Sequence, residues 1–460
     1  MPNRLQSGSR SNNQNAAINR RNFLRLSGLG LSAWAMSAGG GPVEVLAQAA
    51  VEPRSTASAC IFIKLTGAPS HMDTFSVKPG PWTPDDWNLD TQNNITLPRR
   101  LFPNILDRAS RPLSIVHSLQ GWWDLEHMRA EYRIDTGQEF IPALADERPA
   151  IGSVVDREYG PWRRPWDVLP TFVSLGGSPY GGRGFLEPSA GPFNIGAGWG
   201  HFPYRLIPAG GLSVPCAPET WDPDLASFYD ALCREEPGVA GLFRYTDDER
   251  AGYGGTTFGD SCLMAGRLLA ADLGARFIYI TYGQYAWDHH YDVYPTLRRQ
   301  APALDLGLSA LMEFLANTPS PEYPGLSLLD RTLVVAAGEF GRTPPSRYTT
   351  TGTGLSRNNG RDHYANVHFA LLAGGGVIGG RNIGTLNNDG SAVTDPGWWG
   401  AGYPRAAGPN IRMEDLAVTI YSALGINWTR EILDTPSGQR YQYVPGGPET
   451  EYKEVRELFE

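Results

Sequence analysis

Short apolar runs, each closed by a glycine or a polar cluster, punctuate the chain from residue 58 onward. The clearest is Thr332-Leu-Val-Val-Ala-Ala337, followed directly by Gly338, Glu339 and Arg342. A run without polar alternation predicts a strand buried on both faces of a parallel sheet. Ser58–Thr66, Leu113–His117, Val168–Leu175, Ala275–Tyr282 and Val367–Leu372 predict further strands. Between them the apolar spacing lengthens to that of a helix. Helices are predicted at Phe102–Ala109, Asp124–Asp135, Ile151–Tyr159, Asp260–Asp272, Tyr294–Ala316 and Met413–Leu424, with a terminal one at Glu451–Phe459. Gly137 closes the second of these, glycine being the usual helix stop. The alternation of helix, glycine and strand implies an α/β fold with a mostly parallel central sheet and helices on both faces.

Composition adjusts this picture in two places. At 460 residues the chain is longer than one typical domain, which leaves open one α/β domain with long insertions or two domains. Hydrophobic residues at 41% and charged residues at 19% supply a large core, while 54 glycines, 37 prolines and 13 tryptophans imply long ordered loops. The longest is an insertion around residues 176–260, whose Gly176–Pro215 part is rich in glycine, proline and aromatics. Its rings are expected to cover the sheet edge; the other use for such rings is stacking on a sugar. A net charge of −9 with no basic run in the body argues against a nucleic-acid partner. An anionic substrate would therefore depend on a metal ion or a few arginines. The four cysteines, Cys60, Cys216, Cys233 and Cys262, lack metal spacing. Cys60 reads as a buried small hydrophobe. Cys216 and Cys233 flank a Pro/Asp-rich loop and could pair after export, but a chain that folds before it reaches an oxidising compartment would leave them unpaired.

The amino terminus reads as an address. Arg20-Arg21 with Phe23-Leu24, a Gly/Ser-rich apolar stretch and Ala47-Gln48-Ala49 form a twin-arginine (Tat) signal over residues 1–49. The expectation is passage through the Tat translocase and a mature periplasmic or extracellular chain from Ala50. No later stretch has the length and hydropathy of a transmembrane segment.

The chemistry gathers where strands end. The chain has eight histidines, and most lie at predicted strand ends or in loops beside an acid. Histidine with aspartate or glutamate, without cysteine, is a ligand set for zinc, manganese, calcium or a similar divalent ion. Asp288 and His290 follow one strand two residues apart, His363 stands beside Asp362, and Glu339 follows the Thr332–Ala337 strand. Ser70, His71 and Asp73 are packed into four residues after the first strand. Any one of these pairs alone is equally a hydrogen-bonded structural histidine. Several pairs at strand ends favour a metal site.

The ordered motifs G-A-P-S-H-M-D-T-F, E-H with T-G, W-D-x-H, G-E-F-G-R-T-P, G-R-D-H and A-G-G-G resemble an uncharacterised family of Tat-exported bacterial proteins, best known from planctomycetes. That family is placed in the alkaline-phosphatase/sulfatase-like superfamily, and the resemblance covers residues 58–430. It implies a single three-layer α/β domain over residues 50–460 with metals at the strand carboxyl ends. By that resemblance Asp288, His290 and His363 hold the principal ion. Glu339 stands for the superfamily's Asp at a second site, with Phe340 in place of its His, Gly67 in place of the first-strand metal Asp, and Asp73 or His71 as substitutes. His127 falls in the nucleophile slot, as nucleophile, base or ligand, and cannot become the formylglycine of sulfatases. Ser70 is a further catalytic candidate, and Arg342 would neutralise a developing anion. The expectation is an exported metal-dependent hydrolase of phosphate, sulfate or related esters, on small molecules or glycans. The alternative is a non-catalytic surface or glycan-binding protein that keeps a metal-stabilised fold.

Overall fold

The computed structural model describes residues 44–45, 51–121, 124–195, 205–207, 211–213, 242, 245–283, 285–344, 360–393, 411–446 and 452–460. The expected Tat signal, apart from Glu44 and Val45, Cys216, Cys233 and most of the insertion beyond Ile195 lie outside the described residues. In chain order the elements that build the site are β1 Ala59–Lys64, β2 Leu113–Gln120, α1 His127–Thr136, α2 Ile151–Tyr159, β3 Phe172–Leu175 and β4 Phe193–Ile195. They continue with α3 Thr257–Ala270, β5 Phe277–Thr281, α4 Val293–Asn317, β6 Thr332–Ala337, β7 His368–Ala373, β8 Asn382–Ile383, β9 Ile411–Arg412 and α5 Met413–Ala423.

The strands form one nine-stranded sheet in the order β8-β2-β7-β6-β1-β5-β3-β4, with β9 also pairing β2. Every pairing is parallel except the two made by β7. The mostly parallel three-layer α/β fold expected from the sequence is the fold observed. Along β1 the side chains divide by turns between two cores, as strand pleating requires. Ile61 and Ile63 join Ile278 and Ile280 beneath α3 and α4, with Leu263, Leu268, Leu297 and Leu304. Cys60 and Phe62 join Leu333 and Val335 beneath α2 and α5, with Ile151, Val154, Leu416 and Ile420. Each such isoleucine or leucine taken out of water contributes ~1.5–3 kcal/mol. That explains why a continuous apolar run here marks a strand.

Two expected helices differ. Of the range Glu451–Phe459, the described residues 452–459 hold only a short turn at Arg456–Leu458. The N–H groups of Lys453 and Val455 donate instead to Asp415 and Thr419 of α5, so the segment is tied to a neighbour ahead of that turn. Phe102–Ala109 contains a π-helical turn at Ile105–Ala109; the buried Asp305 carboxylate of α4 accepts from the Asn104 and Ile105 N–H groups.

The reversed strand matters for function. Because β7 runs against its neighbours, the residues that precede it stand at the carboxyl end of the parallel strands. There Gly341–Arg342, following β6, pairs antiparallel with His363–Tyr364. Loops after β1, β5 and β6 converge on the same end, the usual place for a ligand in an open α/β sheet.

Candidate metal centre

Close backbone approach brings these loops together. Gly67, after β1, has φ +92°, and a Cβ there would lie 2.6 Å from the Asp288 nitrogen. At Gly360 a Cβ would overlap the His290 carbonyl oxygen. Both contacts require glycine. On α1 the Glu126 carboxylate accepts from the Met128 and Arg129 N–H groups at 3.2 and 3.0 Å, so the helix starts at His127.

Three imidazoles then meet one carboxylate. His127 Nδ1 lies 2.6 Å from Glu339 Oε1. His290 Nδ1 lies 3.0 Å from Asp362 Oδ1, and His363 Nδ1 lies 2.6 Å from the Leu125 carbonyl oxygen. Every one of these partners is an acceptor, so each Nδ1 carries the hydrogen and each Nε2 faces inward. The inward atoms converge on Asp288 Oδ1, from His290 at 3.1 Å and from His127 and His363 at 3.5 Å. His290 Nε2 and His363 Nε2 are only 3.0 Å apart. Two imidazole lone pairs at that distance repel unless a proton or a cation lies between them. His127 Nε2 and Glu339 Oε2 are buried without a hydrogen-bond partner among the described residues. The ligand atoms of His127, Asp288 and His363 lie within 4.8 Å of one another, as do those of His127, Glu131 and Glu339. This donor set, rich in imidazole and bearing one carboxylate, suits a divalent ion of the zinc type.

The electrostatics agree. Burial pushes the Asp288 carboxyl up, but contacts with His127, His290 and His363 and the Arg342 charge hold it far below the usual carboxylate range. Burial opposes charge on His127, yet Asp288 and Glu339 outweigh it and raise its pKa to about 9. The pocket of negative potential thus attracts a positive charge, a proton when nothing else competes. Phe340 is wholly buried and leans on the His127 and His363 rings at 4.9 and 4.6 Å, which makes one wall dry. Asp288 is the most exposed member, 29% against 13–20% for the histidines, so the cluster opens to solvent on its side. Leu125, Met128, Tyr285 and Tyr291 are exposed nearby in sequence.

The other expected residues are placed differently. Arg342 is fully buried, and its guanidinium donates to the Ala68, Gly67 and Arg361 carbonyl oxygens and to Asp288 Oδ1 at 2.6 Å. Asp73 is clasped by Arg361 and accepts from Ser70 Oγ at 2.5 Å. His71 Nδ1 accepts from the Arg342 N–H at 3.3 Å, so its Nε2 donates to the Gly390 carbonyl oxygen at 2.8 Å. The structure therefore does not bring Ser70, His71 and Asp73 to the Asp288 cluster. Their polar atoms are engaged with one another and with Arg361, Arg342 and Gly390.

Three residues that sequence reasoning passed over belong beside the cluster. Lys64 ends β1 and ion-pairs with Glu131 Oε2 at 3.1 Å and Asp135 Oδ2 at 2.8 Å. Burial raises the Glu131 carboxyl to about 7 against the pull of Lys64. The signals were present: a lysine inside an apolar strand, and acids four and eight residues after His127 on one helix face.

Comparison with known proteins places this geometry in context. The family model described as "Protein of unknown function (DUF1501)" matches residues 57–210 and 234–447. No curated protein matches the chain. Among solved structures it is similar to the lipoteichoic acid synthase LtaP from Listeria monocytogenes, at 10% identity over 82% of this chain and 74% of that one, TM-score 0.36. A protein in the alkaline phosphatase superfamily from Vibrio parahaemolyticus gives 10% identity over 88% and 74%, TM-score 0.37. The PsFucS1 sulfatase from Pseudoalteromonas sp. gives 11% over 82% and 68%, TM-score 0.36.

Proposed function

We propose that this chain, which belongs to the DUF1501 family of proteins of unknown function, is an exported metal-dependent hydrolase of phosphate, sulfate or related esters. One observation carries the reading. Three imidazoles, each with Nδ1 tied to an acceptor, turn their Nε2 atoms onto one ionised carboxylate. Carboxylate or carbonyl behind imidazole is the outer shell that fixes a ligand histidine's tautomer and ring. In this reading Asp288, His127, His290 and His363 hold a divalent ion. Glu339, Asp362 and the Leu125 carbonyl orient the rings. His127 becomes a ligand instead of the nucleophile, and Glu339 its support instead of a second-site ligand. Arg342 sets the position and charge of Asp288 and has its donors engaged within the protein.

A bound divalent ion supplies Lewis acidity and a water of near-neutral pKa. The chain's own residues aim the three Nε2 atoms at the centre, keep Asp288 ionised and exclude water from the Phe340 side. Export rests on the twin-arginine pattern at Arg20-Arg21. Among the described residues no helix is long and apolar enough to cross a membrane.

Elemental analysis of the purified chain beside His290→Ala and His363→Ala tests this directly. Roughly one ion per wild-type chain, lost in both variants, is the expected result. A folded wild type without metal overturns the reading. A metal-loaded chain inert toward a panel of aryl phosphate, phosphodiester and sulfate esters overturns the hydrolase and leaves the metal.

A further inference from the structure

The second group of ligand-capable residues, His127, Glu131 and Glu339, is backed by a cation that the chain supplies itself. Lys64 continues the alternation of Cys60 and Phe62, so its side chain falls on the face where those residues enter an apolar core. It is 2% exposed. An ammonium at such a place is costly unless it is paired and hydrogen-bonded, and here the pairing is complete. Its Nζ bonds Glu131 and Asp135 and lies 5.2 and 5.6 Å from the Tyr180 and Tyr279 ring centres. Asp135 is fixed in turn by the Tyr279 hydroxyl at 2.8 Å and the Tyr180 N–H at 2.9 Å. Glu131 is thus held by Lys64 while its carboxylate remains within ligand distance of His127 and Glu339. An ion entering that group would meet the Lys64 ammonium across one shared carboxylate.

Resting on the reading of Asp288 and the three histidines as the metal-holding set, we infer that Lys64 fills, as a fixed ammonium, the place of a second cation. The centre therefore takes one divalent ion per chain. Two ligand groups sharing His127 would otherwise form a two-ion site. The lysine converts the second group into permanent support for the first, because Glu339 stays free to orient His127 and Glu131 stays neutralised.

The test is stoichiometry, read without any substrate. The full chain is saturated with zinc, dialysed and assayed for metal and for folding by circular dichroism. Wild type is expected to hold one zinc. Lys64→Met, which strips the counter-ion from the acids, is expected to rise from one to two. Lys64→Arg is expected to stay at one, as is the double variant Lys64→Met/Glu131→Gln. Two zincs in the wild type overturn the Lys64 assignment and leave the first group standing, as does a folded Lys64→Met that holds only one. No zinc in a folded wild type overturns the reading of the first group, and this inference with it. Should Lys64→Met not fold, saturation of the wild type decides alone, one zinc supporting the inference and two overturning it.

Discussion

Two polar clusters stand at the same end of the sheet, and their sequences look alike. One is Asp288 with His127, His290 and His363; the other is Asp73 with Ser70, His71 and Arg361. Both combine acid and imidazole, and both follow strands. In the second every polar atom discussed has a partner, and its four residues are 0–2% exposed. In the first, imidazole nitrogens crowd to 3.0 Å, His127 Nε2 and the Oε2 of its support Glu339 lack hydrogen-bond partners among the described residues, and Asp288 reaches solvent. Residue type is therefore a poor guide to a site here. What separates them is whether the coordination capacity of the side chains is already satisfied inside the protein.

The largest effect should come from breaking the satisfied cluster. Arg361 and Asp73 are a fully buried ion pair, and removing one partner strands the other charge. Arg361→Met is expected to cost about 3–5 kcal/mol of folding free energy, measured by denaturant unfolding of the metal-free chain. If Asp73 were a ligand, the same change would mainly alter metal content. The comparison fails if Arg361→Met leaves stability intact but empties the metal site.

A middle-sized effect sharpens the other side. Among the described residues the Asp362 carboxylate meets the centre through His290 Nδ1, so it acts by holding a ring in place. Asp362→Ala is expected to weaken metal retention by about 10–100-fold, read by competition with a chromogenic chelator. The apo chain should unfold at nearly the wild-type denaturant concentration, because Asp362 is partly exposed. Equal retention in variant and wild type would remove His290 from the ligand set.

The same contrast shows what was legible in the chain. The sheet was readable because β1, β5 and β6 are buried on both faces, and such burial leaves an uninterrupted apolar run with β-branched residues. Thr332–Ala337 and Ile151–Tyr159 have the bounds read from sequence. The reversal of β7 was not readable, since one apolar strand looks the same in either direction. Asp288, His290 and His363, which the structure brings together, could be singled out because each stands beside an acid or histidine at a strand end. The local S-H-M-D cluster could be singled out in the same way, but nothing near it announces its partner Arg361, which arrives from far along the chain. His127 was located, but its standing beside the other imidazoles depends on Glu339, 212 residues away. Pairings at that separation leave no local pattern.

The smallest effect concerns a histidine that belongs to neither cluster. His368, at the start of β7, is fully buried, and both ring nitrogens lack partners among the described residues. Burial, with His71 adding to it, lowers its pKa to about 3, so it stays neutral in the folded chain. In the unfolded chain an ordinary histidine titrates near 6.5. Between about pH 6.5 and 3 the unfolded state therefore binds a proton that the folded state refuses, and stability falls as pH falls. Replacing His368 by Leu removes that proton from the balance. Relative to its difference from wild type at pH 8, the variant should gain about 1.4 kcal/mol at pH 5.5, measured by urea unfolding of metal-free protein. A difference that does not change with pH would mean that the folded chain protonates His368 as readily as the unfolded one, and that the ring has a partner in solution.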